Sequence, residues 1–192
     1  IFFIKYELNY KDADGGNQTL TVTAGLNRSI YNASESEDND SIHLTAAVGE
    51  VQQIRHIVSN RDLQVFASQS EFYLPSFNDR PLTPANAKIS SQTPFGTGFV
   101  RPQSVDGSTL FVQATGTAVR EYVFSEAENA YTAGMISLLS SHLIKNPVQL
   151  AVVKGSLARP GAYGFFLMDD GTIGVFHSMR QEKKAGWMRW TT

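Results

Sequence analysis

The sequence predicts an all-β chain assembled from repeated antiparallel meanders, and three observations predict it. Short β-branched and aromatic runs, often alternating with polar residues, recur throughout and are bounded by Gly, Asn, Asp and Pro. Apolar residues at helical spacing are confined to one stretch, residues 132–146. A strand–turn–strand phrase occurs three times, with turns at Asn60-Arg61-Asp62, Asp106-Gly107 and Asp170-Gly171.

From the N-terminus, residues 2–9 and 19–24 pair as a hairpin across Asp12-Ala13-Asp14-Gly15-Gly16-Asn17, a cluster that tolerates positive φ. Ser34–Asp40 holds four acids in seven residues and no apolar side chain, so it reads as a solvated loop; it lacks the Gly and closing Glu of an EF-hand calcium loop. Ile42–Ala46 alternates, and Val51–Val58, Leu63–Ala67 and Glu71–Leu74 form a three-strand meander. Pro81 and Pro84 each remove a ladder donor, which makes residues 81–90 an exposed approach to a strand; Pro94–Phe99 reads as a loop.

The second phrase runs through Val105–Gln113 and Val119–Phe124, and the third through Gly164–Phe176. Met135, Ile136, Leu138, Leu139, Leu143 and Ile144 place one short helix within 132–146. Trp187 and Trp190 fall in a strand after a polar turn, where a Trp seals a sheet against its neighbour. The repeated turns lie 45 and 64 residues apart. A four-stranded propeller blade takes about 40–50 residues, so the expected fold is all-β with β-propeller-like blades and one helical insertion in the longer interval. Residues 1–41 form a diverged β-hairpin element with an acidic loop. Residues 42–192 make about three blades of a partial propeller, and the chain reads as a fragment of a longer protein.

Composition narrows the function. At 192 residues, with 42% hydrophobic and 18% charged side chains, the chain sustains a folded core. A net charge of −2 lacks the Lys/Arg excess that tight phosphate binding requires. With no Cys there are no disulfides, thiolate metal sites or cysteine nucleophiles.

No catalytic, cofactor-binding or metal-binding residue is assigned. Asp169-Asp170 sits in a turn that favours Asp-Gly for its backbone angles. His43, His56, His142 and His177 are dispersed, without the i, i+2 or i, i+4 spacing of a metal pair, although His142 and His177 could meet in space. No Ser stands in a Gly-x-Ser-x-Gly elbow, and Gly96-x-Gly98 lacks the rest of a phosphate cradle. Two rival functions have named residues. A carbohydrate- or receptor-binding module would use Tyr73, Phe77 or Tyr163 as loop-tip platforms. A glycoside hydrolase would use acids such as Glu121 and Asp170.

A series of phrases in fixed order carries a resemblance. It begins with Ile54–Val58, Arg61–Phe66 and Glu71–Leu74, then Leu82–Asn86, Gln92–Gly96 and Val100–Pro102. It continues through Leu110–Gln113, Val119–Glu121 and Leu138–Leu143 to Asp170–Thr172 and Trp187. In these phrases residues 42–192 resemble the phage tail family that includes tail tubular protein B, the nozzle of short-tailed (podovirus-type) bacteriophages. The resemblance implies a non-enzymatic virion protein of the viral tail: a propeller-containing structural subunit that self-associates as a homohexamer. The implied ring lies next to the tail adaptor protein and tail fibres, encloses the channel for genomic DNA without sequence-specific binding, and gates DNA ejection. No cofactor and no small-molecule substrate are implied, and residues 1–41 receive no role.

Overall fold

The computed structural model describes residues 3–6, 9–11, 17–19, 22–25, 42–44, 46, 52–76, 82–156 and 161–191. Strands β1 (Phe3–Tyr6) and β4 (Val22–Gly25) pair antiparallel, as do β2 (Asn9–Lys11) and β3 (Asn17–Thr19). Both ladders keep one register, Phe3 opposite Gly25 and Lys11 opposite Asn17, which is the hairpin read from the sequence. Residues 12–16 of its loop and the acidic segment 34–40 lie outside the described residues. Strand β5 (Ile42–Leu44) pairs with β4, so a ladder crosses the division drawn between residues 41 and 42.

Three four-stranded antiparallel sheets follow, each with its strands adjacent in chain order. The second sheet holds β6 (Ile54–Ser59), β7 (Leu63–Ala67), β8 (Glu71–Leu74) and β9 (Ser90–Thr93). The third holds β10 (Gln103–Val105), β11 (Ser108–Val112), β12 (Val119–Ser125) and β13 (Ala130–Met135). The fourth holds β14 (Pro147–Val153), β15 (Ala162–Met168), β16 (Ile173–Met179) and β17 (Lys184–Trp190). Among the described residues no helix is long and apolar enough to cross a membrane.

The all-β reading holds, with three corrections. The three-strand meander gains a fourth strand, β9, which begins where the proline-containing approach ends. The helix expected in 132–146 is present only as a shorter 3-10 helix: residues 130–135 are β13, and the helix spans Leu138–Leu143 with non-helical backbone at Ser140 (φ −131°). No residue of this connector segment is buried, and Leu138 and Leu139 are 65% and 94% exposed, so their apolar spacing marks no packed helical face.

The third correction concerns the repeat. The turns at Asn60–Asp62 and Asp106-Gly107 join the first and second strands of their sheets, whereas Asp170-Gly171 joins the second and third. First strands start at residues 54, 103 and 147, 49 and 44 residues apart, so the longer interval holds no insertion. Asp-Gly supplies the left-handed backbone that any tight hairpin needs, whichever pair of strands it joins.

The sheets stack in sequence through three apolar layers. Side chains in a strand alternate between faces, and β7 and β11 are buried on both. Val65 and Ala67 join Ile42, Leu44, Phe72 and Leu74 between the first and second sheets. Phe66, on the opposite face of β7, joins Phe111, Tyr122 and Tyr131 between the second and third. Leu110 and Val112, on the far face of β11, pack with Leu150, Phe166, Met168 and Phe176 between the third and fourth. Phe66, Phe72, Phe111 and Phe166 are fully buried, each contributing about 1.5–3 kcal/mol of apolar transfer energy.

Candidate functional site

The residues singled out from the sequence do not converge on one site. Asp170 closes its own turn: Oδ1 accepts from the Thr172 amide (3.0 Å) and hydroxyl (2.5 Å), and Lys145 lies 3.6 Å from Oδ2. Those bonds hold the Asp170 carboxyl below the usual range. Asp169 accepts from Asn146 Nδ2 at 3.0 Å. Glu121 pairs with Arg180, and both contact Ser108.

The four histidines lie on four different elements. The side chain of His43, on β5, lies outside the described residues. His56 Nε2 meets the Gly98 carbonyl at 3.2 Å, and burial lowers the imidazole pKa. His142 is exposed on the 3-10 connector, while His177 stacks on Tyr163 with ring centres 4.4 Å apart. No group of three His, Asp or Glu gathers to hold a metal among the described residues.

Gly96 has a packing role. Its φ is +68°, and an added Cβ would lie 2.2 Å from the Ser68 carbonyl oxygen. Of the expected sugar platforms, Tyr73 is turned into the layer between the second and third sheets, 5.1 Å from the Tyr131 ring. Tyr163 lies within a strand of the fourth sheet, and Phe77 falls outside the described residues. Of the two expected seals, Trp187 packs on Phe166 and Phe176 and donates from Nε1 to the Ile136 carbonyl at 2.9 Å, whereas Trp190 is half exposed beside Phe165, outside the core layers.

Two features were missed from the sequence. The first is a polar seam inside the aromatic layer between the second and third sheets. Glu71 is fully buried; Oε2 accepts from the Thr93 hydroxyl (2.6 Å) and Phe95 amide (3.4 Å), and Oε1 from the Thr97 hydroxyl (3.2 Å). Burial raises its pKa, opposed by those donors and by Arg120. Arg120 donates to Gln113 Oε1 and the Ala133 carbonyl, each at 2.8 Å, and stacks 3.3 Å from the Phe95 ring centre. The seam ties the sheets together and leaves its acid closed off from solvent.

The second is the outer face of the fourth sheet. Its registers align Gln149, Leu167, Ile173 and Trp190 in one row, Ala151, Phe165, Val175 and Met188 in the next, and Val153, Tyr163, His177 and Gly186 in the third. No residue of this face belongs to any of the three core layers. Central Val175 is fully buried, while Val153, Met188 and Trp190 are 55%, 46% and 50% exposed. The face has the composition of a core layer and an open rim, which suits packing against another surface. The near-continuous apolar run Ala162–Met168 was its signal, because a strand with one solvated face alternates.

Comparison with known proteins gives no assignment: no family model and no curated protein matches the chain.

Proposed function

We propose that this chain is a structural subunit of a bacteriophage tail nozzle, with its three four-stranded sheets acting as propeller-like blades. The observation that carries this reading is the serial stacking of meanders, each in the same strand order, through aromatic and aliphatic layers. First strands β10 and β14 of neighbouring sheets contact one another, and so do fourth strands β9 and β13, as expected for blades set side by side. The ordered phrases in residues 42–192 supply the link to the tail family.

The outer face of the fourth sheet then receives the next sheet of the stack, from the same or a neighbouring subunit. A near-neutral body suits a conduit that must release DNA. The subunit is non-enzymatic and resides in the virion tail. Electron microscopy of the assembled protein tests the proposal: sixfold copies around an axial channel support it, and a dispersed monomer with a catalytic cleft overturns it.

A further inference from the structure

Strand β6, the end of β11 and the start of β14 border a pocket of about 380 Å³ whose walls include Arg55, Phe99, Val112, Gln113, Pro147 and Val148. Arg55 Nη1 donates to the Thr97 carbonyl at 2.5 Å, and its guanidinium carbon lies 4.2 Å from the centre of the Phe99 ring. Nε is buried without a hydrogen-bond partner. Among the described residues no carboxylate pairs with Arg55, in contrast to Arg61 with Glu126 and Arg180 with Glu121.

A half-buried cation without a counter-charge is unfavourable, and an anion is its natural complement. With Nη1 committed to Thr97, the remaining edge carries the Nε and Nη2 hydrogens side by side, the spacing that two oxygens of one carboxylate accept. The other walls are largely apolar, and the volume falls in the range of small-ligand pockets. Phe99, which lies over the guanidinium, is 80% exposed, so little buried area opposes a shift of its ring.

We infer that this pocket binds a small monocarboxylate with an apolar body, its carboxylate on the Nε–Nη2 edge of Arg55 and its body against Phe99 and Val148. The inference requires neither the ring nor a tail partner, so it stands or falls separately from the proposed function.

The test is titration of the purified chain, followed by saturation-transfer NMR, with phenylacetate, its neutral isostere phenylacetamide, and phenyl phosphate. Phenylacetate is expected to saturate at millimolar concentration and to bind about tenfold or more tighter than the amide. Arg55→Met should erase that preference. Val148→Asp, at a half-exposed bulge in the pocket wall, should weaken phenylacetate by about tenfold with the melting temperature unchanged. Equal affinity for acid and amide, absence of saturation, or unchanged binding in Val148→Asp overturns the inference even if Arg55→Met does not fold. Tighter binding of phenyl phosphate overturns the assignment to carboxylates.

Discussion

Tyr131 donates its phenolic hydrogen to Asp62 Oδ2 at 2.7 Å, joining the third sheet to the turn between β6 and β7 across 69 residues of chain. Asp62 is itself held by the Ser76 amide, which donates to Oδ1 at 2.7 Å. Tyr131→Phe removes one bond from a buried carboxylate and should cost about 1–3 kcal/mol. Calorimetry should record a fall in Tm of roughly 2–12 °C; an unchanged Tm would show that the bond contributes nothing to holding the sheets.

The neighbouring phenol should behave oppositely. Tyr122 stacks on Tyr131 with ring centres 4.6 Å apart, yet its hydroxyl is buried without a partner. Tyr122→Phe keeps the ring and removes the unsatisfied group, so stability should hold or rise by about 1 kcal/mol in urea titration. Burial also raises the pKa of both phenols. The folded state therefore retains those protons more tightly, and stability should decline as pH rises above the ordinary tyrosine value of 10.0. Tyr122→Phe should reduce that alkaline loss; an identical pH profile would contradict the assignment.

Glu71 gives a second titration on the acid side. Its folded pKa lies above the ordinary 4.5, chiefly through burial, so the native state binds the proton more tightly than the unfolded chain. Its relative contribution to stability is greatest below 4.5 and is lost as pH rises through the folded value. In Glu71→Gln the corresponding part of the Tm–pH slope should vanish. Parallel curves for the two proteins would refute this.

Backbone and steric strain separate at two glycines. Gly107 has φ +80° and nothing within 4 Å of an added Cβ, so Gly107→Ala should cost about 1–2 kcal/mol. Gly96→Ala adds a clash with the Ser68 backbone to the same conformational strain and should cost about 3 kcal/mol or more. Equal losses in denaturant titration would mean that the loop around Gly96 yields freely.

For the outer face, Met188→Asp places a charge beside Val175 and Trp190 on a surface already half open. The isolated chain should keep its Tm within about 2 °C, while the ring particles that the proposed assembly requires should be lost from electron micrographs. Intact rings would remove this face from the assembly contact.

Local chemistry in the sequence determined the strands and turns: β-branched runs, Asp106-Gly107, Asp170-Gly171, and the hairpin whose register carries Phe3 opposite Gly25. Alternation along β7 and β11 also set which residues could form cores, because side-chain direction follows the pleat. Only the tertiary structure decided how the units are grouped. Asp170-Gly171 looks like the earlier turns yet joins different strands, since turn chemistry is indifferent to a strand's place in its sheet. The apolar spacing at Leu138 and Leu139 likewise yields only a short 3-10 helix, whose two leucines stay exposed among the described residues. The Glu71 seam, the outer aromatic face and the Arg55 pocket each depend on residues that approach from separate strands, and their burial and contacts arise only when the sheets stack.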